Sequence, residues 1–226
     1  PGTNVGGPRR GSLVVYPGTS GGVSGVAYLT LLGTADQEHF GSSLASAGDV
    51  DGDGYADLAF GRVRYPSTAG ATGQLLLYAG GRTAAAVLAS FNGATLGARF
   101  GAAVATAGDF DGNGFAEVLV GSPDFGTVGL EFEGAVSSYV GSASRPSAAL
   151  NSPLIGGSVG SHFGGAVAIL PRAENDQFPG YLVTESTFDS PLPYSGQAFL
   201  YHPALGALKT TPARTYSAPP GAFLFG

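Results

Sequence analysis

His39–Gly61, HFGSSLASAGDVDGDGYADLAFG, recurs without a gap as Arg99–Gly121, RFGAAVATAGDFDGNGFAEVLVG, 60 residues further on. Self-similarity at a fixed period marks a repeat architecture, in which stacked units bury faces that no single unit can bury alone. A third copy begins at His162 with HFGGAVAIL, and Phe225-Gly226 reads as the opening of a fourth. A second mark keeps nearly the same spacing: GSLVVYPG from Gly11, GQLLLYAG from Gly73, GAVSSYVG from Gly134 and GQAFLYHP from Gly196. Each reads as a short strand ending in tyrosine.

Between these marks the apolar runs are short and are separated by Gly, Asp, Asn and Pro, and no stretch holds a helical period over three turns. The fold class is therefore all-β. In Ser42–Gly93 four strands are expected, SSLASAG, ADLAFG, GQLLLYAG and AVLASFNG. Four antiparallel strands per repeat is the make-up of a β-propeller blade, with the small residues of SSLASAG and GAAVATAG suited to the inner strand where blades converge. The expected division is residues 1–33 as the C-terminal half of a blade, 34–93 and 94–156 as blades with an acidic loop, 157–222 as a degenerate blade, and 223–226 as the start of the next. In the degenerate copy, counting from Phe163, Arg172, Glu174 and Asp176 stand where the second copy has Asp109, Asp111 and Asn113. Pro171 and a one-residue insertion are expected to separate this loop further from the others, so a blade without a metal is expected there.

The acidic loops carry the chemistry. In Asp49-Val-Asp51-Gly-Asp53-Gly-Tyr55-Ala-Asp57, alternate positions offer oxygen while two glycines let the backbone wrap tightly. Calcium takes about six to eight hard oxygens, and the side chains of Asp49, Asp51, Asp53 and Asp57 with the Tyr55 carbonyl would supply most of them. The second loop offers Asp109, Asp111, Asn113, the Phe115 carbonyl and Glu117, and with one neutral amide it is expected to bind more weakly. Turn residues alone need no ion, but uncompensated carboxylates crowded in one loop repel one another by about 1 kcal/mol per contact even in water. An EF-hand is a poor fit, because its twelfth position is a glutamate whereas here it is Phe60 or Val120, and strand-like residues follow. Acid–base catalysis by these sequential carboxylates is disfavoured, since such pairs come from separate chain positions facing one cleft.

FG, then GDxDGDGxxDLxxG, then Gly121-Ser122-Pro123, together resemble the FG-GAP repeat of integrin α-subunit propellers and of bacterial surface proteins. The GAP-like element is degraded to Gly61-Arg62-Val63 in the first copy and replaced by Glu185-Ser186-Thr187 in the third. The resemblance implies a propeller, commonly seven-bladed, with calcium in hairpin loops on one face and partners on the opposite face or blade edges. It implies that this chain covers only part of such a propeller, the rest coming from a longer chain or another polypeptide.

Composition narrows the partners. Formal net charge is −6, with 16 acidic against 10 scattered basic residues, which leaves no electrostatic footprint for nucleic acid. There is no cysteine, hence no thiolate metal site, and no apolar run long enough to span a bilayer. Position 1 is not methionine, which suggests a piece of a longer precursor. His39 and His162 precede FG pairs as register residues rather than zinc ligands, and no GxSxG elbow supports a hydrolase. Tyr16, Tyr78, Tyr139 and Tyr201 are expected in blade packing, while Phe125, Phe132, Phe178 and Phe188 are candidates for a partner surface. The reading that results is a non-catalytic, calcium-binding adhesion or protein-interaction module, extracellular or at the cell surface, with a protein or glycan ligand. A lectin-like propeller, or a propeller appended to an extracellular enzyme, is the alternative.

Overall fold

The computed structural model describes residues 10–64, 70–81, 86–127, 132–144, 146–148, 153–172, 179–186, 196–202 and 209–217. Among them there are strands and no helix. The first unit is a two-stranded pair of β1 (Ser12–Val15) and β4 (Leu29–Leu32), joined through a small hairpin of β2 (Gly18–Thr19) and β3 (Gly22–Val23). The second is a four-stranded meander of β5 (Phe40–Gly48), β6 (Asp57–Arg62), β7 (Gln74–Tyr78) and β8 (Val87–Asn92). The third contains β9 (Ala103–Gly108), β10 (Glu117–Ser122), β11 (Ala135–Val140) and an outer edge split into β12 (Ser147–Ala148) and β13 (Leu154–Ile155). Pro146 and Pro153 lie at the starts of those two short strands, and a residue without an N–H cannot extend a ladder. The last is β14 (Val167–Ile169), β15 (Tyr181–Glu185), β16 (Gln197–Tyr201) and β17 (Arg214–Ser217). Every strand pairing in these sheets is antiparallel.

The sheets stack face to face as partial propeller blades, and the alternation of side chains along each middle strand shows how. Phe60 and Leu76 turn to the β1–β4 pair, where they meet Leu13 and Phe40, while Ala59, Leu75 and Leu77 turn to the third sheet and meet Val118, Val120 and Tyr139. Leu119 and Val136 face the other way, onto Tyr181, Val183 and Tyr201 of the last sheet. A strand covered on both faces must be apolar at consecutive positions, which is why LAF, LLL and VLV run without interruption. The innermost strands β5, β9 and β14 lie against one another, as their small residues suggest.

The FG pair has a physical function at each junction. Phe40, Phe100 and Phe163 donate their backbone N–H to the carbonyls of Arg10, Thr72 and Glu133, at 3.0, 3.2 and 3.1 Å. Those acceptors each precede a glycine, Gly11, Gly73 or Gly134, at φ of +81°, +87° and +77°. A Cβ on any of the three would collide with the carbonyl oxygen of the FG phenylalanine. The equivalent partner of Gly196 would be Phe225, which lies outside the described residues.

Three sequence expectations change. Leu58, Val118 and Tyr181 pair with Tyr78, Tyr139 and Tyr201, which aligns Gly180 with Asp57 and Glu117. Arg172 to Gly180 then has the same length as Asp109 to Glu117, so the expected insertion is absent. Gly61 and Gly121 oppose Leu75 and Val136, and the matching residue opposite Ala198 is Thr184. The third GAP-like element is therefore Thr184-Glu185-Ser186, one residue earlier than expected, because the strand register and not the nearest small residues fixes it. Finally, Tyr139 and Tyr201 are buried and Tyr78 packs beside Phe60, but Tyr16 is half exposed. It directly follows β1, whose two-stranded sheet has no inner strands among the described residues.

Candidate metal centres

Each acidic loop joins the inner strand to the second strand of its sheet, β5 to β6 and β9 to β10, at the end of the blades away from the FG turns. The sequence dictates the wrap. Gly52 and Gly54 have φ of +78° and +88°, and Gly112 and Gly114 have +79° and +90°, a left-handed conformation that glycine adopts without strain. Asp49 then accepts from the N–H groups of Gly52 and Gly54 at 2.7 and 2.9 Å, and Asp109 accepts from Gly112 and Gly114 at 2.7 and 3.0 Å. Asp51 accepts from Asp53 N at 3.1 Å and Asp111 from Asn113 N at 3.0 Å; Asp53 and Asn113 accept from Tyr55 N and Phe115 N at 2.9 and 2.8 Å. Two loops with different side chains thus have one hydrogen-bond scheme.

At the ninth position the carboxylates turn inward and are fully buried. Asp57 accepts from Val50 N at 2.9 Å and from Gly80 N at 2.7 Å. Glu117 accepts from Phe110 N at 2.8 Å through Oε2. Its Oε1 is buried and has no hydrogen-bond partner, the Gly141 amide facing it outside bonding geometry. Burial raises the Asp57 carboxyl above its ordinary range; the Gly80 and Val50 amides oppose this, and the charges of Asp51 and Asp53 add to it. Burial likewise pushes Glu117 up to about 8, against the Phe110 amide and with the charges of Asp111 and Asp109.

Asp49, Asp51 and Asp57 bring one oxygen each to within 4.8 Å of one another, and so do Asp109, Asp111 and Glu117. Either trio can hold a metal ion. Asp53 is not in the first trio, and it is exposed. Asn113 sits beside the second, its amide nitrogen 3.1 Å from Asp111 Oδ2. No hydrogen bond among the described residues occupies the carbonyls of Tyr55 and Phe115. A buried carboxylate oxygen without a donor, in a ring of carboxylates, fits a hard cation better than it fits an empty turn.

The two loops also hold each other. Asp49 and Val50 carbonyls accept from Ala116 N and Ser142 N at 2.8 and 2.9 Å, and the Phe115 ring lies over Gly52. Of the third loop, Arg172, Pro179 and Gly180 are described, and Gly180 brings no side-chain oxygen to the ninth position; Glu174 and Asp176 lie outside the described residues.

One buried polar cluster was not anticipated. Arg62 pairs with the fully buried Glu38 and donates to Gln74 Oε1 at 3.0 Å, and Gln74 donates to Asn92 at 2.9 Å. The signal available in the sequence was an arginine within an otherwise apolar GAP-like element.

Blade-like antiparallel sheets stacked on apolar faces, two of them carrying a glycine-wrapped acidic hairpin whose carboxylates could hold a metal ion, define a propeller-type repeat protein. The FG-GAP repeat family model matches residues 40–78 and 100–139. Two FG-GAP repeats are therefore present in the chain, and each matched segment starts at the FG phenylalanine, Phe40 or Phe100, and ends at the blade tyrosine, Tyr78 or Tyr139.

Proposed function

We propose that the chain is a calcium-binding, non-catalytic interaction module of a secreted or cell-surface protein. The observation that carries this is the pair of matched carboxylate trios, each within 4.8 Å, one of them holding a buried glutamate oxygen with no donor. Asp49, Asp51 and Asp57 would hold the first ion, with Asp53 and the Tyr55 carbonyl nearby; Asp109, Asp111 and Glu117 would hold the second, with Asn113 and the Phe115 carbonyl. Calcium is favoured over magnesium because these loops offer mixed carboxylate, amide and carbonyl oxygens on an irregular backbone rather than an octahedral set. The ion would neutralise charge that burial otherwise penalises, and so lock two loops that hydrogen-bond to each other across neighbouring blades. An interaction module and extracellular or cell-surface placement are both supported by the FG-GAP repeats.

The test is a calcium titration of the chelated chain followed by thermal unfolding. Saturation at about one hundred times Kd should add about 2.7 kcal/mol per site, a shift of several degrees. A midpoint unmoved at millimolar calcium overturns the metal reading. Asp51→Ala should lower the calcium-loaded midpoint more than Asp111→Ala.

A further inference from the structure

The end of the blades opposite the acidic loops carries a cavity of about 480 Å³, lined by His39, Val63, Arg64, Ala71, Gly97, Arg99 and Asp124. It lies between the FG turns of the second and third sheets, where His39 and Arg99 are held at φ of +54° and +53°. Non-glycine residues seldom adopt this conformation, and here the junction hydrogen bonds enforce it, so the Arg99 side chain is presented from a fixed backbone. Its guanidinium makes one loose ion pair, 3.7 Å to Asp124 Oδ1, and is about half exposed. Arg64 is exposed and has no side-chain partner among the described residues. Two guanidinium groups with spare donors therefore border one cavity in a chain that has only 10 basic residues in all.

The surface continues past Asp124. Its Oδ1 lies 2.9 Å from His162 Nδ1, and the imidazole stacks on Phe132 at 5.5 Å between centroids. Phe132 is itself at φ +58° and 44% exposed, an aromatic ring linked to the cavity wall through His162 and Asp124. Guanidinium forks match carboxylates in shape and charge. Asp124 in the wall and the net charge of −6 work against polyanions such as sulfated glycans or nucleic acid.

We propose that this cavity binds a single carboxylate of a peptide segment, gripped by Arg64 and Arg99, with Phe132 meeting an adjacent apolar side chain of the same peptide. The proposal rests on the interaction-module reading and is independent of its metal part.

Isothermal titration of the full chain with the capped dipeptide acetyl-Asp-Phe-amide tests it, with acetyl-Asn-Phe-amide and glucuronate as comparisons. The Asp probe should bind with a Kd of about 1 mM, and the Asn probe about tenfold more weakly. Arg64→Gln and Arg99→Gln should each weaken the Asp probe at least about threefold, while Arg214→Gln on β17 leaves it unchanged. Thermal midpoints of the variants within about two degrees of the parent would establish that they are folded. Equal binding of the Asp and Asn probes, or no heat at about 20 mM probe, overturns the site. Tighter binding of glucuronate than of the Asp probe overturns the peptide in favour of an acidic sugar. A protein partner whose affinity survives both arginine substitutions removes this site while leaving the interaction module standing.

Discussion

At the scale of single residues, Glu117 concentrates the tension in the second loop. Its carboxyl is raised to about 8 by burial, whereas in the unfolded chain it titrates near its ordinary value of 4.5. The folded protein therefore holds this proton more tightly, and the stability it contributes is fully present below about pH 4.5 and lost as pH climbs toward 8. Asp57, also raised by burial, acts in the same direction. In chelator, the midpoint of the parent should fall between pH 5 and 8 relative to Glu117→Gln, by up to about 1.4 kcal/mol per pH unit. Parallel profiles for the two proteins would refute this. Calcium should flatten the difference, because the ion requires the ionised form. Glu38 is the second case: it is fully buried against Arg62, and Glu38→Ala should cost about 3–5 kcal/mol by leaving a guanidinium buried without its counter-charge, as read from urea unfolding.

At the scale of elements, the glycine that opens the third strand of each blade and the FG turn that follows it act as one joint. Gly134 has φ +77°, and a Cβ there would run into the Phe163 carbonyl. Gly134→Ala should cost about 1–3 kcal/mol from conformation alone, and more from displacing the FG turn. Gly157→Ala, at an exposed position with open space around it, should be neutral and serves as the control in the same unfolding assay. This joint was legible as a spacing but not as a cause. The residue before FG is His, Arg or His, and its identity varies because its backbone, at φ of +54°, +53° and +53°, is what the turn needs. The acidic loops were legible in more depth, since Asp-x-Asp-Gly-x-Gly specifies both the crowding of carboxylates and the wrap. Two details of the site were not: that Asp53 stays outside the carboxylate trio, and that Glu117 keeps one buried oxygen without a hydrogen-bond partner. Both depend on side-chain length and aim, which spacing does not encode.

At the scale of the whole molecule, the fold is a row of sheets whose stability resides in the interfaces. The 60-residue period made the all-β repeat and its four-stranded antiparallel sheets readable, and consecutive apolar residues in LAF and VLV signalled that both faces are covered. The last sheet was read one residue out of register beyond the equivalent loop, because that loop has lost the first and ninth carboxylates and the two inner glycines that align the other two copies. The sheet nevertheless forms with Gly180 at the ninth position, so packing between blades, and not the ion, builds a blade. Phe60 belongs to the core between the first pair and the second sheet, and Leu119 to the core between the third and last sheets. Phe60→Ala should cost about 3–5 kcal/mol and Leu119→Ala about 2–5 kcal/mol, since each leaves a cavity in a fully buried site. The two residues share no core cluster, so the double variant should show the sum of the two losses to within about 0.5 kcal/mol in urea unfolding. If a nearest-neighbour description holds, replacing residues on opposite faces of one strand should behave differently. Val118 and Leu119 are adjacent on β10 and bear on different cores through the same backbone, so Val118→Ala with Leu119→Ala should couple by about 0.5 kcal/mol or more. Equal additivity in both double variants would mean that strain does not pass through a blade from one interface to the next.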